Sequence, residues 1–382
     1  MVRRAGSAED RPGPAPDAGC RMPEHPPATP LPGKPVVTPH FRVGVPDVRL
    51  PSIRSARACR PFELVHRGGV FMGIHHSGRD HGGPHPGRAD GRRITSYDRD
   101  GLVFDVVDGG PLDGEIVVLL HGFPQTSSSW ALLAPLLHAQ GYRTLAPDQR
   151  GYSPRARPRG RFAYRMSQLV EDVVALIGVA CPAGRTVHVV GHDWGAAVAW
   201  TLAGARPDLV ATLTALSVPH PAAFMRSLVT SRQFLMSWYM YAFQVPWLPE
   251  LLLRRIDPAS APRVTERLAA GQEPGRLVRD MEHLVASGAL TPALNWYRAM
   301  PFSTPGQLAR ITVPTLFVNS DSDPALGQAG ARRTRALVSG PYTFRTLAGV
   351  GHWIPEQAAS EVAGLLRAHL ADRSRGGPER PR

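Results

Sequence analysis

The stretch from residue 186 to residue 200, TVHVVGHDWGAAVAW, limits the possible folds of this chain more than any other segment. An apolar run too short for a stable helix leads through Gly191-His192-Asp193-Trp194-Gly195 directly into a run of small residues that suits one. A strand that becomes a helix within so few residues must turn sharply. That forces unusual backbone angles on the residue at the apex, Asp193, and brings its neighbours close, which Gly191 and Gly195 permit. Ala196 and Ala197 then let the helix lie near the strand. Because the strand is apolar throughout, both of its faces must be covered, which is the condition of a strand inside a parallel sheet.

The rest of the chain from about residue 93 repeats this texture. Apolar runs at 102–107, 116–120, 143–146, 186–190, 211–218, 315–319 and 342–347 read as strands. Helical patterns lie between them, such as 166–179 and 196–205, the second stopped by Pro207. Alternation of this kind predicts an α/β class fold, a mostly parallel sheet flanked by helices. It is interrupted over 219–310, where the pattern is helical and rich in aromatics. That segment reads as a lid inserted over the carboxyl edge of the sheet, between core segments at 93–218 and 311–372. Its most apolar part, 234–253, carries Gln244, Glu250 and two prolines, so it reads as lid helices and not as a membrane span.

Composition adds a boundary at each end. Residues 1–92 hold 15 of the 39 prolines and no sustained apolar periodicity, which predicts disorder. The net charge of +13 would suggest nucleic acid, yet 1–93 carry 15 basic against 8 acidic residues and 373–382 carry 4 against 1. What remains, 25 basic against 22 acidic, demands neither a phosphate-tracking groove nor an anionic substrate. The tail 373–382 reads as disordered and basic. Cys20, Cys59 and Cys181 are an odd number at unrelated spacings, so no disulfide framework is expected. The first residues lack the apolar core of a secretory signal, and the expected location is cytoplasmic. The histidines of 75–87 lack fixed ligand spacing, so no metal is expected.

The chemistry centres on Asp193. A carboxylate needs no base to become nucleophilic, and it can attack a saturated carbon to form an alkyl ester on the enzyme. The amino end of the following helix favours its charged form. The competing reading is a glycine-flanked helix cap, a role that Asp also fills well. Further along, 320–324 (SDSDP) follow an apolar strand and offer Asp321 and Asp323, and 347–355 (LAGVGHWIP) place His352 in a loop after the last strand. Carboxylate and imidazole, in that order after the apex residue, have the composition of an oriented general base.

These segments, with His121-Gly122-Phe123-Pro124 after the strand at 116–120 and Asp148-Gln149-Arg150-Gly151-Tyr152-Ser153 after the strand at 143–146, resemble the α/β-hydrolase superfamily over roughly 93–372. Within it they are most similar to the branch of epoxide hydrolases and haloalkane dehalogenases. The resemblance implies an α/β-hydrolase fold with a nucleophile elbow at Asp193 and an oxyanion hole formed by the backbone N–H groups of Phe123 and Trp194. It also favours Asp323 over Asp321 as the acid that orients His352. The lid segment at 293–298, ALNWYR, resembles the segment carrying an epoxide-activating tyrosine, which makes Tyr297 the candidate proton donor. A second lid tyrosine is implied as well. The matching position holds Ala242, with Tyr239 and Tyr241 close by.

On this reading the enzyme is an epoxide hydrolase that needs no cofactor and forms vicinal diols from small or medium apolar epoxides. Trp130, Trp238, Tyr241 and Trp296, together with Phe123 and Trp194, would line the pocket. Two alternatives remain. One is a haloalkane or haloacid dehalogenase using the same Asp193, although Phe123 stands where haloalkane dehalogenases place a halide-binding Asn, and Trp194 where fluoroacetate dehalogenases place Arg. The other is a hydrolase-fold protein that binds a small molecule without turnover. Oligomeric state is not readable from these patterns.

Overall fold

The computed structural model describes residues 92–181, 184–255, 269, 271–272, 274–303 and 309–374. The expected disordered extension up to 91, its histidine run and the last eight residues of the basic tail lie outside them.

Among the described residues eight strands form one sheet in the order β1-β2-β4-β3-β5-β6-β7-β8. They are β1 Ser96–Arg99, β2 Leu102–Gly109, β3 Ile116–Leu120, β4 Arg143–Pro147, β5 Val187–His192, β6 Val210–Leu216, β7 Thr315–Ser320 and β8 Tyr342–Leu347. From β4 to β8 every pairing is parallel, while β1 and β2 add an antiparallel edge. Seven of the strands stand where the apolar runs predict them. The eighth, β1, contains one core residue, Tyr97, and escapes an apolar count. Its signal is the turn that joins it to β2, Asp100-Gly101, with both residues at positive φ (55° and 75°), the dipeptide and geometry of a two-residue hairpin.

Both faces of the sheet are covered, as the unbroken apolar strands require. Alternate residues of one strand serve opposite layers. Val118 and Leu120 of β3 pack with α2 (Met166–Ala180) and α3 (Trp194–Ala205). Val117 and Leu119 pack with α1 (Ala134–His138) and the last helix, Ala359–Ser374, through Leu137, Val362 and Leu366.

Helices fill the interval between β6 and β7: α4 Pro221–Thr230, α5 Gln233–Met236, α6 Trp238–Ala242, α7 Leu248–Leu253, α8 Pro274–Ala286 and α9 Leu290–Ala299. The apolar stretch 234–253 is therefore broken into short pieces. No helix among the described residues is long and apolar enough to cross a membrane. Helix α9 is fixed from both sides. Arg298 forms paired bonds to Glu250 of α7 at 2.7 and 2.9 Å, and the Trp296 indole N–H donates to the Arg150 carbonyl at 2.8 Å.

Candidate active site

Four loops at the carboxyl ends of β3, β5, β7 and β8 meet at Asp193. Strand β5 runs on to His192 and α3 begins at Trp194, so Asp193 alone makes the turn, with φ 51° and ψ −121°. A non-glycine residue held at positive φ stores strain that only a well-packed surround sustains. The surround is tight here: a Cβ on Gly195 would run into the Leu120 carbonyl, and one on Gly122 into the Asp193 side chain. The loop after β3 thereby lies directly against the carboxylate. The Phe123 N–H donates to Asp193 Oδ1 at 2.9 Å, and the Trp194 N–H also favours the anion.

The loop after β3 is pinned by its neighbour after β4. The Gln149 N–H donates to His121 Nε2 at 3.1 Å, which leaves Nδ1–H to donate to the Gly122 carbonyl, also at 3.1 Å. Arg150 grips the buried Asp172 through two bonds of 2.7 and 2.6 Å. The motif at 148–153 is thus a scaffold for the motif at 121–124.

His352 stands between two carboxylates. Its Nδ1–H donates to Asp323 Oδ2 at 2.8 Å, and its Nε2 lies 3.6 Å from Asp193 Oδ2. Asp323 is fixed in turn by the N–H groups of Ala325 and Leu326 on Oδ1, at 2.8 and 3.0 Å. Asp321 is exposed and accepts from Ser322 Oγ and the Gly349 N–H, as a turn cap does. Burial pushes the His352 pKa down, but Asp323 and Asp193 outweigh it and raise it from 6.5 to about 10. Burial likewise pushes the Asp193 pKa up, and the hydrogen bond and charge of His352 override this and lower it. Both shifts favour the pair as carboxylate and imidazolium.

His192 has no part in the sequence reading, yet it holds this loop. Fully buried, its pKa lowered to about 4 by burial and then by His352, it is neutral and donates from Nε2 to the His352 carbonyl at 2.9 Å. Ser217 Oγ–H donates to the same carbonyl at 2.8 Å. The signal available in the sequence is position: a polar residue beside the apex of a buried strand needs a partner.

A cavity of about 240 Å³ opens on Asp193. Trp194, Val218, Phe224, Met240 and Leu326 make it mostly apolar, and Tyr239 and Tyr297 face it as well. The two tyrosine rings lie 6.2 Å apart, with Tyr297 also set edge-on to Trp194 at 5.0 Å and to Phe123 at 5.5 Å. Burial, then the nearby Asp193 charge, raises both phenol pKa values, so both hydroxyls keep their protons. Tyr239 thus lies beside Tyr297 on the cavity wall, while Ala242 occupies the matching lid position.

Four of the pocket expectations need correction. Trp130 is buried in the core layer on one face of the sheet with Val117, Leu119 and Leu133, and it does not line the cavity. Trp296 turns its indole to Arg150 and packs into the core. Trp238 is 65% exposed, and Tyr241 lies on the outer side of its short helix against Phe234. Tyr239 lies one position from Trp238 and two from Tyr241 on α6, and only the three-dimensional setting of the helix decides which side faces inward.

The profile of a family described as alpha/beta hydrolase fold matches residues 115–359. The chain is 34% identical over 294 residues to the AB hydrolase superfamily protein YfhM of Bacillus subtilis, covering 74% of this chain and 99% of that protein. To epoxide hydrolase A of Mycobacterium tuberculosis it is 33% identical over 312 residues, covering 72% and 95%. Among solved structures, epoxide hydrolase A from Mycobacterium thermoresistibile superposes with a TM-score of 0.60 at 28% identity, over 72% of this chain and 97% of that one. With an eight-stranded, mostly parallel sheet and four loops converging on the turn after β5, this chain belongs to the α/β-hydrolase family and is a relative of its epoxide hydrolases.

Proposed function

We propose that this chain hydrolyses epoxides to vicinal diols through an alkyl ester on Asp193. The observation that carries this reading is that one apolar cavity presents a carboxylate, Asp193, and two protonated phenols, Tyr239 and Tyr297. An epoxide asks for that set. Its carbon takes the nucleophile while its oxygen, leaving as an alkoxide, takes a hydrogen bond and then a proton.

The charges also close over a full cycle. Asp193 attacks an epoxide carbon, the C–O bond breaks, and Tyr297 or Tyr239 gives its proton to the new alkoxide. Asp193 is now a neutral ester and no longer holds the His352 proton. The imidazolium therefore loses much of what raised its pKa and returns a proton to the tyrosinate through solvent. Neutral His352, oriented by Asp323, then takes a proton from water. The resulting hydroxide attacks the ester carbonyl, whose oxygen receives the N–H groups of Phe123 and Trp194. The ester C–O bond breaks, the departing alkoxide takes the proton carried in by the attacking hydroxide and now on the Asp193 carboxyl, the diol leaves, and carboxylate and imidazolium remain. His352 becomes a base only after the first step has made one necessary.

A departing halide would need weakly basic N–H donors and no proton, so the two phenols favour the epoxide over the haloalkane reading. A screen of epoxides, haloalkanes and esters with wild type beside Asp193→Ala tests the assignment. Turnover is expected for apolar epoxides and should vanish in the variant. Ester or haloalkane turnover that survives Asp193→Ala would refute it.

A further inference from the structure

The outer surface of the lid carries an unusual combination of side chains. Along α4 to α7, Val229, Leu235, Trp238, Trp247 and Leu252 are exposed by 83, 68, 65, 71 and 59%. Large apolar groups at that exposure are common singly but not in a series on successive short helices. Two parts of this surface are knit together by their neighbours. Phe234 of α5 and Tyr241 of α6 lie 5.1 Å apart, and a groove of about 740 Å³ joins Trp247, Leu251 and Arg254 to Arg161.

Among the described residues of 221–255 the exposed charges are of one sign. Between residues 221 and 255 the exposed ionisable side chains are Arg226, Arg232, Arg254 and Arg255. The only acidic residue in that interval, Glu250, is buried and paired with Arg298. Across the groove Arg161 is exposed and lies over the ring of Phe302 at 4.9 Å, in a segment, 156–165, that holds no acid. The remainder of the core region is nearly balanced, so the asymmetry belongs to this face.

We infer that the α4–α7 face of the lid docks on an anionic lipid bilayer and lies in its interface without crossing it. Trp, Leu and Val rimmed by Arg match the layering of that interface, with apolar groups at the acyl boundary and guanidinium groups at the phosphates. Short helices suffice for this, since nothing spans. The face also bears the mouth of the cavity: Met225 lines the space over Asp193 and is itself half exposed. An apolar substrate dissolved in the bilayer would therefore meet the opening without passing through water.

The full chain tests this by sedimentation with vesicles of phosphatidylglycerol and phosphatidylcholine in equal parts, and with phosphatidylcholine alone. Binding to the mixed vesicles is expected, weakened by salt and by omission of the anionic lipid, with Trp247 fluorescence quenched by brominated acyl chains. The variant Leu235→Asp/Leu252→Asp should bind at least about tenfold more weakly, since each side chain withdraws apolar surface from the bilayer. Arg232→Glu/Arg254→Glu leaves the apolar surface intact and should cost a similar factor, at about fivefold for each charge removed. A cooperative thermal transition certifies each variant as folded. Three results would overturn the inference: no vesicle binding by the wild type, binding unchanged in both lid variants because the basic ends of the chain carry it, or a concentration-dependent dimer that the lid variants abolish without any lipid effect.

Discussion

At the scale of residues, the account turns on how Asp193 and His352 hold each other's charge. His352 has its pKa raised to about 10, so its contribution to stability is complete below its ordinary 6.5 and is lost as pH rises from there through about 10. Thermal melts of wild type should fall across that window, and His352→Gln should flatten them; parallel curves would count against the pairing. Asp193→Asn imitates the neutral ester. In that variant the His352 resonances should titrate well below the wild-type value, in NMR spectra followed over pH, and an unmoved titration would break the proposed switch. Tyr297→Phe leaves one phenol, and removing one donor to a developing oxyanion costs about 10²–10³ in kcat. Tyr239→Phe should cost as much if both serve the same oxygen, and steady-state rates on one epoxide decide it. The convergence of Asp193, Asp323 and His352 is legible because each follows a strand end in a fixed chain order. Tyr239 is not, because the direction of a side chain on a five-residue helix is decided by packing. The outward side of Trp238 is hidden from sequence for the same reason.

At the scale of elements, the lid and the sheet are joined by a buried polar cluster beside the His352 loop. Glu356, four residues after His352, accepts from Gln125 Nε2 at 3.0 Å and from Gln272, and pairs with Arg276 of α8 at 2.6 Å. Burial raises its pKa from 4.5 to about 7 against the pull of Arg276, and Asp280 pushes the same way. A raised carboxyl keeps its proton in the fold and loses it sooner in the unfolded chain. The cluster therefore stabilises most below about pH 4.5 and less as pH rises through about 7. Glu356→Gln should reduce that slope in the melting temperature, leaving the share of Asp280, whose pKa burial raises from 3.8 to about 6; an unreduced slope would place the titration elsewhere. Trp353 packs with Leu277, Met281 and Leu294 of the lid, so the same loop carries apolar contact as well. None of this was legible in sequence, since the partners lie some 80 to 230 positions apart. Strand and helix positions were, because the parallel strands are apolar on both faces and the turns between them are marked by Gly, Pro and Asp.

At the scale of the whole molecule, sheet order and site placement follow from one another. Parallel strands aim their carboxyl ends at one edge, and the sharp turn after β5 sets Asp193 at the centre of it. Leu119 is fully buried in one of the two layers that flank the sheet, so Leu119→Ala should cost about 2–5 kcal/mol in denaturant unfolding with the site chemistry untouched. The class of fold could be read from alternation alone. The orientation of the lid surface could not, because burial on one face and exposure on the other leave no periodic trace across helices of four to six residues. The central claim is that the epoxide is first joined to Asp193 and that water then attacks the ester. A single turnover of excess enzyme in heavy-oxygen water tests it directly. The account predicts heavy oxygen in the Asp193 carboxylate, with the first diol formed free of label. Label in that first diol and none in Asp193 would contradict it.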